Sequence, residues 1–233
     1  MRQLILLPGL AGDTVMWQPQ LAALPAGLQA HVTDVHARHG AIPEMAAALL
    51  REHEGELILC GASMGGIIAM EAVRQAPQRI RGLALLGTNA RPETAEMRAL
   101  REGAIAVFFR EGGVEEIIRA NVALAFHPRQ AADAALVDSY LSFVLRAGAE
   151  QLIRQNRAIM SRPDARRHLA QVRCPTLVMC GDADQLTPPE CSREIAQLIP
   201  NAELVWVPQC GHMLTMEKPA LVNAALLAWL AKL

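Results

Sequence analysis

Residues 57–62, Leu-Ile-Leu-Cys-Gly-Ala, carry no polar side chain and pass directly into a helical pattern over 64–75. A strand that is apolar on both faces belongs in the middle of a sheet covered on both sides, and such sheets are mostly parallel. The rest of the chain follows the same alternation, which predicts βαβ units. Residues 3–7, 30–35 and 81–86 are predicted strands. Residues 14–24, with Asp13 as N-cap, and 42–53 are predicted helices.

The rhythm changes at about residue 91. No convincing strand occurs over 91–171, whereas 96–110, 114–125, 131–145 and 149–161 repeat apolar residues at spacings of three and four. Gly112-Gly113, Pro128, Gly148 and Pro163 separate them. The alternation then resumes with strands over 175–180 and 202–207 and helices over 190–198 and 219–233. The expected fold class is therefore α/β: a mostly parallel sheet of about six strands flanked by helices, with an all-helical insertion before the penultimate strand. The expected division is a core of residues 1–90 and 172–233 and a helical segment of 91–171.

The formal net charge is −1, from 22 basic and 23 acidic residues that are interspersed along the chain. That distribution argues against a nucleic-acid groove or an anionic membrane surface as partner. The five cysteines show no repeated spacing and read as small core residues in a reducing cytoplasm. Met1-Arg2-Gln3 followed by four apolar residues resembles a signal peptide, but Pro8-Gly9 ends the run well short of the roughly 7–15 residues required. The expectation is a soluble cytoplasmic protein.

The chemistry is concentrated at Gly61-Ala62-Ser63-Met64-Gly65-Gly66, which matches G-x-S-x-G between a strand and a helix. A serine at such a turn has strained backbone dihedrals, and its neighbours two before and two after are crowded together, which calls for glycine. The helix N-terminus directs partial positive charge at the reaction centre. No Gly-Lys-Ser/Thr follows, so a phosphate loop is excluded, and the glycines do not form a dinucleotide fingerprint. A serine hydroxyl needs a base and an orienting acid. Two candidate acids, Asp182 and Asp184 in Gly181-Asp182-Ala183-Asp184, follow one late strand, and His212, in Gly211-His212-Met213, follows the next. The other six histidines read as structural or exposed.

With these residues the chain resembles the α/β-hydrolase superfamily, in particular its small lidded esterase, lactonase and C–C-hydrolase-like members. Gly181, Asp184 and Pro188 fit that family's G-x-x-D-x-x-x-P pattern, and His212 follows glycine as its histidine commonly does. The resemblance covers about 1–90 and 172–233. It implies the catalytic residues Ser63, Asp184 and His212, with oxyanion donors in the backbone N–H groups of Leu10 and Met64. Pro8-Gly9 stands where members often have His-Gly, a departure that keeps the backbone donor. The resemblance also implies that segment 91–171 is a lid and that the strands are ordered 30–35, 3–7, 57–62, 81–86, 175–180, 202–207.

Trp17, Asn89, Leu186 and Met213 lie beside motif residues and are the candidate pocket side chains. Arg119 and Arg154 are candidates for a substrate carboxylate, with solvated helix faces as the competing explanation. No metal or other cofactor is expected, and the expected partner is a small-molecule substrate. The expected activity is hydrolysis of a small hydrophobic ester or lactone. An enol-lactonase, a C–C hydrolase or lyase using the same residues, and a non-catalytic small-molecule receptor on the same fold are the alternatives.

Overall fold

The structure, a computed structural model, describes residues 3–233; Met1 and Arg2, the start of the signal-like run, lie outside the described residues. Six strands form one sheet: β1 (Gln3–Leu7), β2 (Ala30–Val32), β3 (Leu57–Ala62), β4 (Ile80–Leu86), β5 (Thr176–Gly181) and β6 (Glu203–Val207). Their order is β2-β1-β3-β4-β5-β6, with every neighbouring pair parallel. The interior strands β3 and β5 are buried along their whole length, whereas the edge strands β2 and β6 are mostly half-buried or exposed. The predicted strand over 30–35 ends at Val32, because after the Thr33 N–H bonds the Leu6 carbonyl (3.0 Å) the chain turns at Asp34 into a short helix.

The helices are α1 (Gln18–Ala23), α2 (Val35–Arg38), α3 (Ile42–Glu52), α4 (Met64–Gln75), α5 (Ala95–Phe108), α6 (Gly113–Ala125), α7 (Pro128–Ala131), α8 (Ala134–Met160), α9 (Arg166–Leu169), α10 (Pro189–Leu198), α11 (Leu214–Glu217) and α12 (Pro219–Leu230). The predicted helix over 14–24 divides: Thr14–Trp17 is a 3₁₀ turn capped by Asp13, and α1 starts next to Pro19, whose missing N–H suits a first turn.

Alternate strand residues feed two cores. Ile5, Leu7, Leu59, Leu85 and Val178 pack with α3 and α4 on one face. Leu4, Leu6, Cys60, Leu86 and Met179 pack on the other face with Trp17, Trp229 and apolar residues of the helical insertion. Each fully buried Leu or Ile contributes about 1.5–3 kcal/mol relative to exposure, so both faces hold the sheet between helices.

The insertion runs from α5 to α9. Its predicted helices over 131–145 and 149–161 are joined as α8, with a break at Gly148 (φ 72°, ψ 174°). Thr94 and Asp133 cap α5 and α8 by accepting the Met97 and Leu136 amides. Phe108, Phe126 and Phe143 are buried, and Tyr140 packs edge-on to both Phe126 and Phe143. Phe109 departs from this pattern and is exposed. No helix among the described residues is long and apolar enough to cross a membrane.

Candidate active site

Ser63 sits between β3 and α4 with φ 51° and ψ −116°, a backbone conformation that costs a non-glycine residue about 1–3 kcal/mol. Its N–H bonds the Leu86 carbonyl at 2.9 Å, and its own carbonyl accepts the Thr88 hydroxyl at 2.7 Å, so the end of β4 holds the turn in place. Gly65 cannot carry a side chain: a Cβ there would lie 2.0 Å from the Leu7 carbonyl oxygen. That close approach brings the start of α4 against the loop after β1.

Asp184 and His212 leave the ends of β5 and β6 and meet Ser63. The His212 Nδ1–H donates to Asp184 Oδ2 at 2.8 Å, which leaves Nε2 to accept the Ser63 hydroxyl at 2.9 Å. Asp184 Oδ1 accepts the Leu186 and Thr187 amides, each at 2.9 Å, while Oδ2 also accepts the Thr187 hydroxyl at 2.8 Å. Burial opposes ionisation of Asp184, but His212 and the Thr187 donors together hold its carboxyl below the usual range. Burial likewise opposes protonation of His212. The Asp184 charge and hydrogen bond outweigh it, Glu217 adds to them, and the imidazole is shifted upward. Gly87 (φ 50°) lies beside the pair, and a Cβ there would come within 3.2 Å of Asp184 Oδ2.

The His212 loop is fastened by two groups that residue spacing did not reveal. The Ala125 carbonyl, at the end of α6, accepts the His212 and Met213 amides at 2.9 and 3.2 Å. The buried Glu217 carboxylate accepts three amides: His127 at 2.9 Å, Gly211 at 3.0 Å and Met213 at 3.0 Å.

Leu10 lies in a turn closed by the Gly12 N–H and the Gly9 carbonyl at 2.9 Å. Ala11 has φ 57°, as the third position of a type II-like turn requires. Its N–H donates to Gln155 Oε1 at 2.8 Å, and Gln155 Nε2 donates to the His36 carbonyl at 3.1 Å. The His36 Nε2–H donates to the Gly12 carbonyl at 2.9 Å. Met64 opens α4, where backbone N–H groups have no acceptor within the helix, and its side chain is buried.

A cavity of about 430 Å³ lies between this cluster and the insertion. Ser63, His212, Leu10, Leu186 and Met213 line it, with Met16, Phe108, Ile118 and Phe143 among its apolar walls. Leu186, Met97, Leu100 and Leu124 line it while remaining exposed, so they form its rim. Two of the proposed pocket residues lie elsewhere. Trp17 is fully buried in the core cluster that includes Leu4, Leu6 and Trp229. Asn89 folds back to accept the Arg91 amide at 2.9 Å. Arg119 and Arg154 also lie outside the cavity: the first pairs with Glu115 at 2.7 Å and the second donates to the Ala37 carbonyl.

Comparison with known proteins agrees with the fold. The family model described as serine aminopeptidase, S33 (Hydrolase_4) matches residues 22–219. A protein from Serratia proteamaculans named "Putative carbamate hydrolase RutD" is 29% identical, over 98% of this chain and 91% of its own length. A thermophilic esterase from Thermogutta terrifontis, solved with malate bound, superposes with a TM-score of 0.89 at 27% identity, covering 100% of this chain and 90% of that one. The enol-lactonase from Burkholderia xenovorans LB400 gives a TM-score of 0.89 at 23% identity, covering 99% and 92% of the two chains, and shares the fold. With the family match spanning most of its length, this chain is a hydrolase of the α/β-hydrolase superfamily and belongs to the family described as serine aminopeptidase, S33.

Proposed function

We propose that the protein hydrolyses small, predominantly apolar carboxylic esters or lactones through an acyl-enzyme on Ser63. The observation that carries this reading is the unbroken hydrogen-bonded chain from Ser63 through His212 to Asp184 at the wall of the cavity. In the first step Ser63 Oγ bonds to the substrate carbonyl carbon and its proton passes to His212 Nε2. Asp184 holds the Nδ1–H and stabilises the imidazolium. The Leu10 and Met64 amides donate to the oxyanion, each such donor being worth about 3–4 kcal/mol. Collapse of the tetrahedral species breaks the bond to the leaving alkoxide, which takes the proton from His212. Water then attacks the acyl-Ser63 ester, His212 again accepts and returns a proton, and the acid is released.

The helical insertion acts as a lid over residues 91–171 in this reading, because it supplies the apolar walls facing Ser63. The five free cysteines suit a reducing cytoplasm. A carbamate is the second reading, favoured by the name of the Serratia relative and its match along the whole chain. Attack at a carbamate carbonyl uses the same groups.

Short p-nitrophenyl esters, γ- and δ-lactones, aryl carbamates and aminoacyl amides should be compared on one enzyme preparation. The expected result is highest kcat/KM on an ester or lactone. Ser63→Ala should lose at least about a thousandfold while keeping the same thermal midpoint within a few degrees. A fluorophosphonate should modify Ser63 in the wild type. Undiminished turnover by Ser63→Ala would overturn the serine mechanism, and faster turnover of carbamates would favour the second reading.

A further inference from the structure

Among the described residues, the cavity wall contains one arginine, Arg101, whose carboxylate partner is shared with a second arginine. Arg101 on α5 and Asn156 on α8 line the same cavity as Ser63. Arg101 Nε donates to Glu93 Oε2 at 2.5 Å, and Nη1 donates to Asn156 Oδ1 at 2.8 Å. The Glu93 side chain is buried and is also claimed by Arg162 through both oxygens, at 2.9 and 3.3 Å. Arg162 is buried as well, and its remaining donors go to the Arg91 and Ile159 carbonyls at 2.7 and 3.2 Å. Two guanidinium groups therefore share one carboxylate, which leaves the cluster with a surplus positive charge. The surplus falls on Arg101, whose Nη2 has no partner among the described residues and whose side chain is only partly covered.

A guanidinium edge that only solvent covers gains charge-assisted hydrogen bonds when an anion replaces that solvent. A guanidinium with a free N–H edge beside an amide side chain is suited to a carboxylate, through charge-assisted hydrogen bonds. We propose that Arg101, with Asn156 beside it, is the subsite that binds a carboxylate carried by the substrate away from the bond that is cleaved. The inference rests on the ester or lactone reading above and narrows it to substrates that carry an acid group. Arg101 is then a specificity residue, while Asn156 and Glu93 are positioning residues that hold its guanidinium against the cavity wall.

Two matched pairs of esters test this. On the acyl side, the mono-p-nitrophenyl esters of adipate and pimelate are compared with p-nitrophenyl hexanoate and heptanoate. On the leaving-group side, the butyrate ester of 4-hydroxybenzoate is compared with that of its methyl ester. The wild type should favour the acid-bearing member of at least one pair by about 10- to 100-fold in kcat/KM, the range expected for a charge-assisted contact. Arg101→Met should bring that ratio close to one, and Arg101→Lys should retain part of it. The ratio is read within each variant, so a general loss of active protein does not imitate the effect.

Adipate and pimelate should also raise the thermal midpoint of the wild type but not of Arg101→Met, a readout that needs no turnover. Binding of the diacids without hydrolysis of any ester would support the subsite and count against the esterase reading alone. Ester turnover with no preference in either pair, or a preference that survives in Arg101→Met, would overturn the subsite. A complete absence of both preference and thermal shift would do the same.

Discussion

The carbonyl of Ala125 accepts the backbone N–H of His212 at 2.9 Å. One residue ends a helix of the insertion and the other leaves the last strand of the sheet, so the insertion helps to fix the loop that carries the imidazole. Glu217 strengthens the same junction by accepting amides from His127 and from both neighbours of His212. The helical segment thus orients a group at the site as well as walling the cavity.

Glu217→Gln tests that junction. A glutamine has one carbonyl oxygen where three amides now converge on a carboxylate, and a buried amide left unpaired costs about 1–3 kcal/mol. The expected outcome is a loss of about 1–3 kcal/mol in denaturant-unfolding free energy, together with a fall in kcat of roughly tenfold. Unchanged stability and unchanged kcat would show that the carboxylate is not needed to hold the His212 loop.

The pH dependence follows from His212. In the proposed mechanism it must be neutral at Nε2 to accept the Ser63 proton, and Asp184 lifts its pKa above the ordinary imidazole value despite burial. kcat/KM should therefore fall as pH decreases through an apparent pKa above that ordinary value. Asp184→Asn should lower the rate by roughly 10³–10⁴-fold, because it removes both the charge and the acceptor that selects the Nδ1–H tautomer. The stability term has the opposite sense. A histidine that holds its proton more tightly when folded contributes stability fully below its unfolded pKa, and that contribution is lost as pH rises through the folded value. A pH–rate profile from 5 to 9 and thermal midpoints over the same range measure the two effects separately.

Gln155 links α8 to the loop that carries Leu10. Gln155→Leu removes the acceptor of the Ala11 N–H and the donor to the His36 carbonyl. Leu10 is the proposed oxyanion donor of this loop, and one such donor is worth about 10²–10³ in rate, so a displaced loop should lower kcat by about 10- to 100-fold, with a smaller change in KM. Gln155→Glu keeps the acceptor for Ala11 and should be intermediate. A change confined to KM would show that the loop stays in place without this contact.

Much of this molecule was legible from residue order. A strand apolar on both faces needs cover on both sides, so the runs at 3–7, 57–62 and 175–180 already required a sandwiched parallel sheet. Ser63, Asp184 and His212 stood out because each follows a strand in a residue context with few other uses. The chain also determined the helical insertion through its spacing of threes and fours. Only the tertiary structure decided what those elements hold in common. Gln155 meets Ala11, Glu217 meets His127, and Arg101 meets Glu93 and Asn156, and none of these pairings leaves a periodic trace. Trp17 and Asn89 show the converse, since adjacency to a motif along the chain did not place either side chain in the cavity. Periodicity records which face of a helix or strand avoids water, a local property. The hydrogen bonds that position a site join loops and helices far apart in the chain, and they exist only once the sheet and its helices have brought those segments together.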